Sequence, residues 1–114
     1  MKYACLIYDP AKGALRDSPE AAQMYGEYGS LMNDAGAHYQ GGHELTPTSS
    51  ATTVRLRDGK RLVTDGPYAE TKEVLNGYME FDCSSLDEVI EWASRIPSAR
   101  NGSIEIRPIV ERQP

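Results

Sequence analysis

Seven side chains in this sequence could act on a small molecule: Asp65, His43, Tyr68, Lys72, Glu80, Glu105 and Arg107. A carboxylate set against apolar surface has its pKa raised toward that of a general base, which makes Asp65 the candidate proton acceptor. His43 is the candidate acid/base partner of Asp65, because imidazole changes charge near neutral pH. Arg107 is the candidate clamp for an anionic group, with Glu80 and Glu105 on the same wall, Tyr68 at the rim and Lys72 as a further contact. Each has a structural alternative. Asp65 could simply cap its own turn, and the strand charges could form a cross-strand network or stay solvated. His38 and His43 are the two histidines, at opposite parity along one short strand. They share a cavity only if a bulge at Gly41-Gly42 breaks that parity.

Other chemistries lack their residues. The sequence holds no glycine-rich phosphate loop, no G-x-S-x-G elbow, no H-E-x-x-H and no zinc-knuckle spacing. The expectation is therefore no cofactor and no metal. Cys5 and Cys83 fall inside expected strands, where small buried hydrophobes are common; they are too few for a disulfide framework, and no histidine stands near either at ligand spacing. A net charge of −5 argues against nucleic acid. No apolar run suffices for a bilayer, and Asp9-Pro10 interrupts the first apolar stretch before a secretory segment could form. Cytoplasmic residence is the default expectation, with neither membrane nor nucleic acid as partner.

The 114 residues suggest one domain, with 39% hydrophobic and 25% charged residues as in an ordinary globule. Lys2 to Tyr8 reads as a central strand bounded by Asp9-Pro10 and Gly13, followed by a polar loop to residue 17. Ser18-Pro19-Glu20 opens a helix, since serine caps free N–H groups and proline fits the first helical position. Its apolar stripe is Ala21, Met24, Tyr25, Tyr28, Leu31, Met32 and Ala35, and Gly36 ends it. Gly26 and Gly29 weaken that helix or admit another backbone.

His38 to Leu45 is a strand with a glycine irregularity. Thr52 to Arg57 and Lys60 to Thr64 flank Asp58-Gly59, a two-residue hairpin signal that sets Val54 against Val63 and Leu56 against Arg61. Asp65-Gly66-Pro67 then turns the chain. Leu75 to Cys83 is a strand with Met79, Phe81 and Cys83 on one face and Tyr78, Glu80 and Asp82 on the other. Ser85-Leu86-Asp87-Glu88 reads as a capping box for a second helix with Leu86, Val89, Ile90, Ala93 and Ile96 inward. Ser103 to Val110 is the last strand. Without the hairpin this is a ferredoxin-like βαββαβ core, an α+β fold with both helices on one face of an antiparallel sheet. The mixed polar and aromatic second face suits pairing with a second copy around a twofold axis, enclosing a cavity.

Asp65-Gly66-Pro67-Tyr68-Ala69-Glu70-Thr71-Lys72-Glu73 resembles the signature of the DGPFAETKE family, a branch of the YCII-related proteins, with Tyr68 replacing the usual phenylalanine. The resemblance runs from the first strand to Ile104-Glu105-Ile106-Arg107-Pro108. It implies a homodimeric α/β barrel. Some YCII-related proteins are thought to use a His–Asp pair with the histidine in the first helix; here Tyr25 or Tyr28 stands in its neighbourhood, and Asp34 resembles the aspartate. Two functions stand side by side. One is a small-molecule enzyme using acid/base chemistry in a dimer-enclosed cavity. The other is a non-catalytic dimeric ligand-binding or regulatory module, which the resemblance links to sigma-factor signalling. Haem or oxygen chemistry, found in other proteins of similar fold, is disfavoured by the shortage of histidines.

Overall fold

The computed structural model describes residues 1–11 and 18–112. The expected loop over residues 12–17, with its boundary at Gly13, lies outside the described residues.

The strands are β1 (Lys2–Pro10), β2 (Tyr39–Glu44), β3 (Thr52–Arg57), β4 (Lys60–Asp65), β5 (Glu73–Asp82) and β6 (Ser103–Pro108). The helices are α1 (Pro19–Ala35) and α2 (Leu86–Ser94), with short 3-10 turns at Gly36–His38, Thr48–Ser50 and Pro97–Arg100. Four strands form one antiparallel sheet in the order β2-β5-β1-β6, while β3 and β4 form a sheet of their own. This is the ferredoxin-like α+β arrangement with an inserted hairpin.

Strand alternation puts Tyr3, Cys5 and Ile7 of β1 and Met79 and Phe81 of β5 into the core, joined by Cys83 just past that strand. Leu31 and Ala35 of α1, Val89 and Ala93 of α2, and Ile96 close it from the helical side. The second helix is narrower than its pattern suggested, for Leu86 and Ile90 are 51% and 43% exposed. Trp92 instead packs against the core, its ring stacked on Phe81 at a centroid distance of 6.5 Å.

Both helices begin as their sequences require. Ser18 Oγ accepts from Ala21 N at 3.1 Å, and Ser85 Oγ accepts from Glu88 N at 3.2 Å. The expected capping box is only half formed, because Glu88 accepts from Ser84 Oγ at 2.9 Å rather than reaching back to Ser85. Gly36 ends α1 at φ 53°, in the region that favours glycine. Gly26 and Gly29 admit no second backbone: nothing lies within 4 Å of a Cβ placed on either.

The hairpin register is as expected, with Val54 opposite Val63 and Leu56 opposite Arg61 around Asp58 and Gly59, both at positive φ. Gly66 N donates to Ala51 O at 2.7 Å and Thr53 Oγ1 to Gly66 O at 2.8 Å, closing the neck. Beyond that neck the hairpin is an arm, with Val54, Leu56, Leu62 and Val63 exposed. The Cα radius of gyration of 16.1 Å exceeds the roughly 13 Å of a compact chain of this length for the same reason.

Candidate functional site

A cleft of about 370 Å³ lies between α1 and the sheet. Its walls are Met24, Tyr25, Tyr28 and Met32 from α1, facing Ile7 and Asp9 of β1, Gly42 and Glu44 of β2, and Asn76, Gly77 and Met79 of β5. Two backbone irregularities shape its floor. The β1–β5 register shifts between Ile7, opposite Gly77, and Tyr8, opposite Leu75, so Asn76 is the extra residue of a bulge. Bulges re-aim side chains, and here Asn76 Nδ2 donates to Asp9 Oδ2 at 3.0 Å. The second shift, between Tyr39 and Gly41, sets the phase of β2. Glycine is needed where β2 meets β5: a Cβ on Gly42 would collide with the Tyr78 carbonyl oxygen, and one on Gly77 would stand 2.7 Å from the His43 carbonyl oxygen.

The polar end of the cleft carries two carboxylates, Asp9 and Glu44. Tyr25 Oη lies 3.1 and 2.9 Å from the two Glu44 oxygens, to which it donates. Tyr28 Oη lies 3.0 Å from Ser98 Oγ, and burial pushes the Tyr28 phenol up. No lysine or arginine is among the described residues lining the cleft. Such a surface suits a neutral or cationic molecule with an apolar body.

Of the residues marked out from sequence, His43 lines this cleft together with Tyr78, and the others fall in two other places. Glu80, Glu105 and Arg107 share the sheet face opposite the helices with Tyr78, as parity required, and with Leu6 and Tyr8 of β1. Arg107 Nε donates to Glu105 Oε2 at 2.6 Å, an ion pair within one strand. His43 lies opposite Tyr78, its Nδ1 3.0 Å from the phenol oxygen. Asp65, Tyr68 and Lys72 belong to the arm and its neck. Asp65 sits opposite Thr52, exposed. Among the described residues its carboxylate takes no hydrogen bond and no ion pair, so within one chain it neither caps the corner nor meets His43. Tyr68 is 75% exposed and uses its carbonyl to accept from Arg55 Nη2 at 3.0 Å, while the Lys72 carbonyl accepts from Ala11 N at 2.8 Å.

His38 and His43 do diverge. His38 turns toward α2, its ring 6.0 Å from Trp92, and Nδ1 lies 2.9 Å from Asp82 O. Asp34 pairs with Arg95 at 2.6 Å, tying the end of α1 to that of α2. Of the helix positions suggested by resemblance, Tyr25 and Tyr28 reach the cleft and Asp34 does not. Sequence reasoning missed Asp9, Glu44 and Asn76. The legible signals were His43, which does line the cleft, and Gly41-Gly42, which announced a close backbone approach.

Two helices on one face of a four-stranded antiparallel sheet, with a cleft of ligand size under the first, define a ferredoxin-like α+β protein. The chain matches the YCII-related domain over residues 1–113, and it belongs to that family. It is also 38% identical over 102 residues to "Uncharacterized protein R00369" of Rhizobium meliloti (strain 1021), an alignment covering 88% of this chain and 76% of that protein.

Proposed function

We propose that this YCII-related chain is a small-molecule enzyme working by acid/base chemistry, with the cleft under α1 as its site. The observation that carries the proposal is the presence of two carboxylates at one end of a largely apolar cleft, Asp9 accepting from Asn76 and Glu44 from Tyr25. Asp9, steadied by Asn76, orients a donor or cationic group of the substrate, and Glu44 takes the substrate proton while Tyr25 supplies a hydrogen bond. Ligand-observed NMR against a library of small aromatic amines and neutral cyclic compounds identifies binders, which are then assayed for turnover. Glu44→Gln retains binding and loses turnover, while Asp9→Asn weakens binding about tenfold or more. Binding unchanged by Asp9→Asn removes the cleft from consideration.

The second reading, a ligand-binding or regulatory module, draws support from Tyr25, whose hydroxyl engages both Glu44 oxygens and so occupies the proposed base. A wild-type protein that binds without converting its ligand decides for it.

The Asp65–Glu73 segment supports assignment to the DGPFAETKE branch, and with it a cytoplasmic homodimer. In that assembly the face bearing Leu6, Tyr8, Tyr78, Glu80, Glu105 and Arg107 meets its copy. Asp65 would act as proton acceptor, with Tyr68 and Lys72 beside it, only where a second chain brings a cavity to the arm. Asp65→Asn tests that role independently of Glu44→Gln.

A further inference from the structure

His38, Cys83 and Glu88 are distant in sequence and adjacent in space. Each offers one ligand atom, and the three atoms lie within 4.8 Å of one another. None of the three lines the cleft under α1. His38 comes from the turn after α1, Cys83 from just beyond β5, and Glu88 from the first turn of α2, so the core that joins these elements also holds the cluster together.

The Glu88 side chain has left its expected place. A capping-box glutamate would reach back to the backbone N–H of Ser85; this one is drawn to Ser84, and its other oxygen is turned inward. That oxygen, Oε1, is shielded from solvent and accepts no hydrogen bond of good geometry, although His38 Nδ1 stands 3.3 Å away. Its neighbours there are the Cys83 thiol, which hydrogen-bonds to the Glu88 carboxylate, and the His38 ring, and a cation would bind the same three groups more strongly. The Cys83 thiol, 2% exposed, lies beside the same carboxylate, while the half-exposed His38 leaves one side open to water.

We propose that His38, Cys83 and Glu88 form a three-residue site for a zinc ion, with water as the fourth ligand. One sulfur, one imidazole nitrogen and one carboxylate oxygen match the preference of a borderline-soft ion without directional demands. Ligand atoms around tetrahedral zinc lie roughly 3.3–3.8 Å apart, given bonds of about 2.0–2.3 Å. The cluster therefore closes by about an ångström on binding, a movement that the partly exposed His38 and Glu88 side chains supply. Binding displaces the proton of Cys83 and frees a His38 nitrogen, whose Nδ1 now donates to Asp82 O. The Cys83 proton passes to solvent, and where Nδ1 ligates, its proton moves to Nε2, so the imidazole stays neutral.

Titration of the purified, metal-free chain with Co²⁺ alone, followed by competition with Zn²⁺, tests the site. The expected result is saturable binding of one cobalt per chain with a thiolate-to-cobalt charge-transfer band and visible bands of tetrahedral intensity. Zn²⁺ abolishes both. Cys83→Ser removes the charge-transfer band. His38→Ala and Glu88→Gln, which alter partly exposed side chains and leave the circular dichroism unchanged, each weaken binding at least about tenfold. His43→Ala leaves metal binding unaltered. Absence of a saturable spectrum, a spectrum without the thiolate band, or an affinity indifferent to both His38→Ala and Glu88→Gln overturns the proposal and leaves an ordinary ion-pair cluster.

Discussion

Cys5 and Cys83 are 0% and 2% exposed, and burial pushes their thiols up to about 12 and about 11. For Cys5 the neighbouring Cys83 adds to that effect, and for Cys83 the Glu88 carboxylate does. Both thiols therefore resist alkylation and disulfide exchange in the folded metal-free protein, and a thiol reagent at pH 8 should titrate neither until denaturant is added. The linkage has a definite sign. Above pH 9.0 the unfolded thiols lose protons that the folded ones keep, Cys83 until about 11 and Cys5 until about 12. The unfolded state then binds fewer protons, so stability falls as pH rises through that window. Urea midpoints measured at about pH 8 and about pH 10.5 should decline accordingly, and Cys83→Ser should shrink the decline.

Glycines at the level of elements act in opposite directions according to what surrounds them. Gly42 in β2 faces the backbone of β5 so closely that a methyl group would meet the Tyr78 carbonyl oxygen. Gly42→Ala should cost about 1–3 kcal/mol, read as a lower urea midpoint, and should distort the cleft that β2 floors. Gly26 in α1 has open space around it and helical backbone. Gly26→Ala should add about 0.5–1 kcal/mol, since alanine lowers the entropy of the unfolded chain without strain. The pair of measurements separates close approach from mere conformational freedom, a distinction that the letter G in a sequence does not carry.

At the scale of the whole molecule, the core does not depend on the arm. No residue of β3 or β4 enters it, and the Ala51–Gly66 hydrogen bond holds the neck closed. Replacing residues 52–65 by a short glycine linker should leave the far-ultraviolet circular dichroism of the remaining sheet and helices intact. The dimer proposal belongs here too. Light scattering should give twice the 12.6 kDa of one chain, and Leu6→Asp, placed on the face opposite the helices, should reduce it to one chain. A single-chain mass for the wild type removes the dimer, and with it any catalytic role for Asp65. Excision of the arm, assayed the same way, reports whether its exposed Val54, Leu56, Leu62 and Val63 contribute to that contact.

Local chemistry was enough to reveal the elements. Ser18 and Ser85 cap their helices, Asp58-Gly59 turns the hairpin, and the alternation through Met79, Phe81 and Cys83 separates core from open face, because each depends on dihedrals and parity within a few residues. The sites were not legible in that way. Asp9 meets Asn76 only because a bulge in β5 re-aims a side chain, and Tyr25 meets Glu44 only because α1 and β2 line one cleft. Likewise His38, Cys83 and Glu88 converge from separate elements, although sequence spacing held no ligand pattern at all. Secondary structure is written in neighbours along the chain; a binding site is written in neighbours across it, and those exist only once the core has packed.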